Sequence, residues 1–183
     1  MVTVAELILT NSDLNCTIDD QFHIQLNKVK WRVDRGGYPV CDRKTKVYQL
    51  FNTRRLHRII YQLLNGKINR QTQIDHIDRN PLNNHSSNLR PATNQQNSMN
   101  KANNKKSKVN YKGVSFNEYS RKFIAKVTHN GKGIHLGSFD DAREAALAYN
   151  SKVIELFGEW AYFNDMEEGG LMINTDEELG ELE

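Results

Sequence analysis

Residues 74–97 read IDHIDRNPLNNHSSNLRPATNQQN, a stretch too polar to form a core element, and they decide the fold of the first half of the chain. Residues 74–77 are the end of a predicted strand. An Asn-rich loop follows, and residues 88–90 form a second short strand. Thr93, with Gln96 three positions later, is a capping box that starts a helix. The order is therefore a hairpin closed by a helix.

The side chains around this hairpin suit metal-assisted hydrolysis. Asp75 and Asn97 offer a carboxylate and an amide oxygen, which are the hard donors that Mg²⁺ prefers. The imidazole of His76 can take a proton from a water molecule that attacks phosphorus. One metal ion would stabilise the charge on the leaving oxygen.

The pattern D-H-I-D-x-N-x-x-N-N-x-x-x-N-L-R-x-A-T-x-x-x-N resembles the HNH endonuclease motif of the ββα-metal fold, in its homing-endonuclease form. The resemblance implies that Asp75 and Asn97 hold one Mg²⁺ or Mn²⁺ ion per active site, that His76 is the general base, and that Asn88 braces the metal-binding loop. Leu56-His57-Arg58 is similar to the His-Arg pair on the helix before the family motif. Two other interpretations stay open, an inactive HNH scaffold and an Asn-rich surface loop with two solvent-exposed histidines. The further candidates for phosphate contacts are His57, Arg58, His85 and Arg90.

Charge is distributed unevenly along the 183 residues. The formal net charge is only +3, but eight acidic residues and no Lys or Arg follow Asn164. The first 164 residues hold 25 basic against 14 acidic residues, a charge of +11. A basic body of this kind favours polyanions, and double-stranded DNA is the first candidate partner.

No apolar run reaches the length of a membrane span, and the N-terminus lacks the pattern of a secretion signal. We therefore expect a soluble, intracellular protein in the cytoplasm, without a membrane partner. The only cysteines, Cys16 and Cys41, do not form a C-x-x-C pair, so we expect neither a zinc site nor a disulfide.

Residues 1–50 are predicted to be rich in β-structure, with a strand at 5–9 and a helix or turn at 19–28. Residues 30–33 and 38–40 flank a turn sequence and form a hairpin. The pattern K-W-R-V-x-x-x-G-Y-P-V also resembles the leader of many HNH motifs. Trp31 is a core anchor or a DNA contact.

A further strand is predicted at 47–51, followed by a helix at 54–65 that Gly66 ends. The other helix faces carry Arg54, Arg55, His57 and Arg58, which either meet DNA phosphates or form a solvated basic surface. The residues predicted to face the core are Leu56, Ile59, Ile60, Leu63 and Leu64.

Residues 98–110 are predicted to be a basic linker with almost nothing to bury. The lysines Lys101, Lys105 and Lys106 would lie along a DNA groove, or the segment is a plain tether.

A second module is predicted from Tyr111. Strands at 114–116, 122–128 and 133–137 surround an Asn130-Gly131 hairpin turn. Asp140 would cap a helix that runs to Phe157, with Gly158 just beyond its end. The predicted buried stripe of this helix is Ala142, Ala145, Ala146, Tyr149, Val153 and Leu156.

The stretch Y-K-G-V…K-F-I-A-K-V…G-K-G-I-H-L-G-S-F-D-D-A-R-E-A-A-L-A-Y-N is similar to the AP2 (ERF-type) DNA-binding domain, as far as Asn164. The side chains differ from the Arg and Trp of the plant regulators, so their base preference should not be transferred. The alternative is a small α+β domain that binds protein or nothing. The DNA-facing positions implied by the resemblance are Lys112, Ser115, Asn117, Lys126, Thr128 and His135.

The predicted fold class is α+β. A β-rich region leads into an HNH domain at 1–97, with a ββα-metal core at about 70–100. The linker at 98–110, an AP2-like domain at 111–164 and a disordered acidic tail at 165–183 follow. The tail would be inert or would dock on the basic surface and compete with DNA.

The predicted function is a homing-type DNA endonuclease, monomeric rather than dimeric, without a small-molecule cofactor, and resembling proteins of phages. The alternative is a DNA-binding regulator that does not cleave.

Overall fold

The computed structural model describes residues 3–102 and 108–166. The chain divides into two compact units, Met1–Asn94 and Gln95–Glu183, and each has its own hydrophobic core. Lys105, Lys106 and the acidic tail from residue 167 lie outside the described residues. In the part of the chain that is described, no helix is both long enough and apolar enough to span a membrane.

The first unit is a mixture of short helices and two-stranded antiparallel sheets, each formed by two strands that are consecutive in the chain. Its elements are β1 (Val4–Leu7), β2 (Cys16–Asp19), α1 (His23–Leu26), β3 (Arg32–Val33), β4 (Pro39–Val40), α2 (Lys46–Phe51), α3 (Leu56–Asn65), β5 (Gln73–His76) and β6 (Leu89–Ala92). Two 3₁₀ turns, Asp20–Phe22 and Ser86–Asn88, complete the unit. The hairpin at 32–40 and the helical turn after β2 confirm the sequence prediction.

One core holds these small elements together. Trp31 is 1% exposed, and its indole Nε1–H donates to the carbonyl of Leu26 at 2.9 Å. Ile18 of β2, Leu56 of α3 and Ile74 of β5 lie in the same core. Trp31 is therefore a core anchor, as the first of its two interpretations held.

The prediction of a strand at 47–51 is wrong, since these residues belong to α2. The Thr45 hydroxyl accepts a hydrogen bond from the Tyr48 amide and caps the helix, and Asn52 ends it in the left-handed region at φ 50°. Capping thus outweighs the β-propensity of Val47, Tyr48 and Phe51.

Helix α3 ends at Gly66, as predicted, and Leu56, Ile59 and Ile60 are fully buried. The prediction that Leu64 faces the core is wrong, because its side chain is 46% exposed.

The second unit contains a three-stranded antiparallel sheet and a long helix. Its elements are α4 (Asn94–Asn100, whose first residue belongs to the first unit), β7 (Val114–Asn117), β8 (Lys122–His129), β9 (Lys132–Phe139), α5 (Ala142–Phe157) and a 3₁₀ turn at Gly158–Trp160. Asn130 and Gly131 have φ of 50° and 75°, which confirms the predicted hairpin turn. The helix cap is Asp141 instead of the predicted Asp140.

Helix α5 packs on one face of this sheet. Ala142, Ala145 and Ala146 are at most 1% exposed and let the helix approach the strands closely, while Leu156 is only half-buried. The main-chain carbonyl of Asn164 accepts a hydrogen bond from the Asn150 side chain. The Asn164 side chain accepts from the Lys112 amide and donates to the Lys112 carbonyl. These bonds attach the end of the second unit to its beginning.

Parts of the predicted linker belong to the second unit. Residues 98–100 continue α4, and Val109 is 2% exposed in the core. The expectation that this segment has almost nothing to bury is therefore wrong at Val109.

Gly113 and Gly131 provide a matched test of packing in the second unit. Both have φ near 75°, but a Cβ at Gly131 would meet nothing, whereas one at Gly113 would overlap the Tyr149 ring and approach the Lys126 carbonyl to 2.9 Å. We expect Gly131→Ala to lower the unfolding free energy by about 1–2 kcal/mol, the left-handed penalty alone. Gly113→Ala should cost about 3 kcal/mol or more, because overpacking adds to this penalty. Urea unfolding of both variants measures the difference, and equal losses would contradict the crowding seen at Gly113.

Candidate active site and DNA-binding face

Asp75 and His76 are the last two residues of β5, and Ile74 anchors that strand in the core of the first unit. The antiparallel register places Asp75 opposite Arg90 and His76 opposite Leu89. Asp75 is 6% exposed and His76 is 5% exposed. The two residues are thus fixed by strand pairing in a nearly dry setting.

The side-chain amide of Asn84 determines which tautomer of neutral His76 is present. The Asn84 Oδ1 lies 3.3 Å from His76 Nε2, and the Asn84 Nδ2 donates to the Pro81 carbonyl at 3.0 Å. Because that carbonyl only accepts, Oδ1 is the atom turned to the imidazole, so Nε2 carries the hydrogen. In the neutral ring, Nδ1 is then the basic nitrogen.

Two aromatic rings surround His76. The ring centres of His57 and His76 are 4.9 Å apart with an edge-on angle of 70°, and Tyr38 lies 6.0 Å from His76. Burial lowers the pKa of His76, against the opposing effects of the Asn84 hydrogen bond and of Asp78 and Asp75. The site therefore favours a neutral imidazole near pH 7.

His57 lies inside the protein and not on a solvent-facing surface of α3 as predicted. Its side chain is 2% exposed, and Nδ1 has no hydrogen-bond partner among the described residues. Burial lowers its pKa well below the usual value, and His76, Arg55 and Arg58 act in the same direction. A ring this deep cannot meet a phosphate without rearrangement, so we remove His57 from the phosphate contacts.

Asn88 ties together the two ends of the loop after His76. Its Nδ2 donates to Asp78 Oδ1 and to the Asn83 carbonyl, both at 2.8 Å, and its Oδ1 accepts from the Asp78 amide. The carboxylate of Asp78 also accepts from Asn83 Nδ2 at 2.7 Å. The loop is consequently held by a closed set of side-chain bonds.

The strand β2 forms the wall behind this loop. The Thr17 amide donates to the Leu82 carbonyl, and the Asn84 amide donates to the Thr17 carbonyl. Asp19 accepts hydrogen bonds from the amide and the hydroxyl of Ser86.

Two other predicted phosphate contacts are occupied by carboxylates. His85 Nε2 lies 3.3 Å from Asp19 Oδ1, and Arg90 Nε donates to Asp75 Oδ2 at 3.3 Å. Both side chains are at least 87% buried. Both side chains therefore face internal carboxylates and not the solvent, which corrects the prediction that they contact phosphates.

Arg58 is also engaged internally. Its guanidinium donates to the main-chain carbonyls of Asn69, Arg70 and Thr72, and so attaches the loop after α3 to that helix.

The predicted metal ligands lie in different units. Asp75 belongs to the first unit and Asn97, in α4, to the second, so their pairing around one ion and the packing of α4 on the hairpin stay predictions. Within residues 3–102 and 108–166, no group of three or more His, Cys, Asp or Glu side chains could hold a metal. A carboxylate with an amide oxygen is nevertheless the kind of sparse donor set that suits Mg²⁺, which keeps water and substrate phosphates as its other ligands.

Five of the six predicted DNA-facing positions share one face of the sheet in the second unit. Val114, Phe123, Ala125 and Val127 point toward α5, and the residues between them point away. His135 is paired with Lys126 on that outer face. The exposed members of this open face are Ser115, Asn117, Lys126, Thr128 and His135.

Lys112, the sixth position, has a different environment. Its ammonium group donates to the carbonyls of Ser98, Met99 and Lys101 and lies 5.4 Å from the centre of the Tyr162 ring. All three donors of the ammonium are used at the C-terminal end of α4, so we remove Lys112 from the DNA contacts. The main-chain carbonyl of Lys101 belongs to this cap, and its side chain is exposed.

Three residues of the site were not singled out from the sequence. Asn84 orients His76, Tyr38 packs on its ring, and Asp19 holds Ser86 and His85. The sequence could have indicated two of them, because Asn84 lies in the quoted motif and Tyr38 lies in the leader pattern. Asp19 has none, because its contact spans 67 residues of sequence.

Comparison with known proteins shows which family the chain resembles. A family model described as HNH endonuclease matches residues 54–99, from the start of α3 to α4. An uncharacterised HNH endonuclease, L560 of Acanthamoeba polyphaga mimivirus, is 40% identical over 143 residues, which are 78% of this chain and 70% of that protein. Protein 3.8 of Escherichia phage T7 is 34% identical over 115 residues, covering 63% of this chain and 94% of that protein. No solved structure matches the chain.

The family model and the mimivirus relative define the class of the chain as a nuclease. The chain belongs to the HNH endonuclease family, and it is a DNA endonuclease. Endonucleases of this family generally depend on a divalent metal.

The buried imidazole of His57 predicts a pH dependence of stability. Its pKa is lower in the folded state than the ordinary value of 6.5, so the unfolded chain binds a proton first as the pH falls. The free energy of unfolding should therefore be highest above pH 6.5. As the pH falls below 6.5, it should decrease by up to about 1.4 kcal/mol per pH unit, until the pH reaches the pKa of His57 in the folded protein. Urea unfolding at pH 8 and pH 5 should show a smaller loss for His57→Phe than for the wild type. An equal loss would show that His57 does not carry this effect.

Proposed function

We propose that the chain is a homing-type endonuclease that cuts double-stranded DNA with His76 as general base and one divalent ion. The observation that carries the proposal is the orientation of His76, whose Nε2 faces Asn84 Oδ1 at 3.3 Å and whose pKa is lowered by burial. A neutral imidazole with Nε2 protonated accepts a proton from water at Nδ1. Asn84 then stabilises the imidazolium that forms, through the same hydrogen bond.

Asp75 and Asn97 would hold the divalent ion, either Mg²⁺ or Mn²⁺, which supplies positive charge to the leaving oxygen when it is bound. Arg90 keeps the Asp75 carboxylate in place by donating to Oδ2. Asn88 and Asp78 keep the following loop rigid, so the imidazole does not need to be ordered when DNA arrives.

The open face of the second unit would bind duplex DNA as an AP2-like module. Its members are small, polar or basic, and a three-stranded sheet can enter the major groove. Gly133 supports this role for Lys126, because a Cβ at Gly133 would overlap the Lys126 side chain. The absence of a side chain there lets Lys126 lie across the neighbouring strand.

The nuclease proposal predicts that His76→Ala lowers the cleavage rate by about 100-fold or more, since a general base contributes that much. Supercoiled plasmid with Mg²⁺ is followed as it converts to nicked and linear forms. Asp75→Ala and Asn97→Ala should reduce cleavage more than binding. Cut positions near the gene that encodes the protein would support the homing type.

His23→Ala is the matched control, because His23 lies in α1 outside the cluster of His57, Tyr38 and His76. Its cleavage rate should equal that of the wild type. Equal and negligible cleavage by wild type and His76→Ala, on DNA that both bind, would reject the nuclease and leave a DNA-binding protein.

The open face predicts a change in salt dependence. Lys126→Ala should reduce the slope of log K against log salt by about 0.9, the value for one lost phosphate contact. Lys152→Ala, on α5 and paired with Glu155, is the control and should leave the slope unchanged. Fluorescence anisotropy with a labelled duplex measures both. A slope that Lys126→Ala does not change would place DNA away from this face.

A further inference from the structure

An open pocket of about 460 Å³ lies in the first unit between the end of α2 and the start of α3. Tyr48, Phe51, Ile68 and Val40 form its apolar wall. Neither Asp75, His76 nor Asn84 lines it. Its size is within the range of ordinary ligand pockets.

Arginine dominates the rim of this pocket, which we call the arginine pocket. Its lining includes a single acidic residue, Asp34, whose Oδ1 accepts hydrogen bonds from the amides of Gly36 and Tyr38 in the hairpin turn. Within the described part of the chain, no carboxylate forms an ion pair with any of the five arginines. They are Arg43, Arg54, Arg55, Arg58 and Arg70.

The five guanidinium groups divide into fixed and available ones. Arg58 donates to main-chain carbonyls, and Arg54 Nε donates to the Cys41 carbonyl at 2.9 Å, so these two form the rigid wall. Arg43 and Arg70 are exposed and make no side-chain hydrogen bond within residues 3–102 and 108–166. Arg55 is exposed as well and stacks on the Tyr38 ring at 4.5 Å.

Like charges are held close together here. Burial lowers the pKa of Arg58, and the neighbouring Arg55 adds to that effect by repulsion. An anion placed between such groups relieves the repulsion. A cleft with one sign of charge also concentrates counter-ions of the opposite sign.

The start of α3 adds a second source of positive potential. The helix has ten residues, its N-cap Arg55 makes no side-chain cap hydrogen bond, and Thr53, Arg54 and Arg58 line the pocket beside it. The N-terminus of a helix carries a partial positive charge and unpaired amides, which attract phosphate.

The pocket lies close to the proposed general base. Arg55 lies on one side of the Tyr38 ring, and His76 lies 6.0 Å from the same ring, so one aromatic side chain separates the pocket from the proposed base. A DNA strand carries one phosphate about every 3.4 Å of helix axis, so a strand with its scissile phosphate at His76 has further phosphates nearby.

We propose that the arginine pocket binds backbone phosphates of the DNA strand that is cut, next to the scissile one. This inference rests on the proposed function for the identity of the strand. Arginine suits the role because its planar group can hold a phosphate with two parallel hydrogen bonds.

The test is DNA binding in EDTA, where no cleavage occurs. The double variant Arg43→Ala with Arg70→Ala should weaken binding of a mixed-sequence duplex and reduce the slope of log K against log salt by about 1.8, for two lost phosphate contacts. Arg43→Lys with Arg70→Lys keeps the charge and should restore most of the slope. Thermal unfolding should be unchanged, because neither arginine side chain has a hydrogen-bond or ion-pair partner to lose among the residues that the structure describes.

Lys28→Ala with Lys30→Ala is the matched control, since it removes two exposed charges of the same unit that do not line the pocket. An unchanged slope for the arginine double variant, or an equal loss in the lysine control, overturns the proposal. A second arm uses inorganic phosphate. Thermal stabilisation by phosphate over chloride that depends on Arg43 and Arg70, with unaltered DNA binding, would indicate a free-anion site and also overturn it.

Failure of the pocket and failure of the nuclease remain distinguishable. A reduced salt slope without His76-dependent cleavage would leave the pocket standing as a DNA contact. If the protein cleaves DNA in a His76-dependent way but the arginine double variant has an unchanged slope of log K against log salt, the nuclease proposal stands and the pocket proposal fails.

Discussion

The pairing between β2 and the loop that follows His76 is the constraint on which the active site depends. That loop is too polar to bury apolar surface, so it can be ordered only if its amides and carbonyls find partners. The main chain of Thr17 bonds to Leu82 and Asn84, and the carboxylate of Asp19 accepts from the Ser86 amide. The first strands of the chain are therefore part of the nuclease and not an appendage to it.

This support explains why a ring at the end of a short strand can act as a base. Asn84 is fully buried, and its amide is bonded to the Pro81 carbonyl and lies 3.5 Å from Cys16 Sγ, so the oxygen that faces His76 cannot turn away. Tyr38 and His57 fill the space on the other sides of the ring. Because the environment is dry, the imidazole of His76 stays neutral. In the described part of the chain, the buried Nδ1 of His57 has no hydrogen-bond partner.

Positive charge is used in two different ways in the described part of the chain. Arg90, Arg58 and Lys112 are bound to a carboxylate or to carbonyls and stabilise the fold. Arg43, Arg55 and Arg70 of the arginine pocket, together with Lys126, instead keep their cations at the surface. Net charge predicts a polyanionic partner correctly in kind, but it cannot distinguish these groups, because the distinction depends on which oxygen atoms the fold places beside each cation.

The sequence by itself determined the family, the hairpin whose first strand ends with Asp75 and His76, and the helix that ends at Gly66. It also determined the hairpin and the helix of the second unit. These depend on local signals, namely turn residues, caps and apolar spacing, that lie within a few residues of each other. Only the tertiary structure decided that His57, His85 and Arg90 face inward, and that Asn84 and Asp19 hold the site. The partners of these buried side chains lie up to 68 residues away in the chain, and a sequence pattern does not show which distant polar groups must satisfy each other when they are buried together.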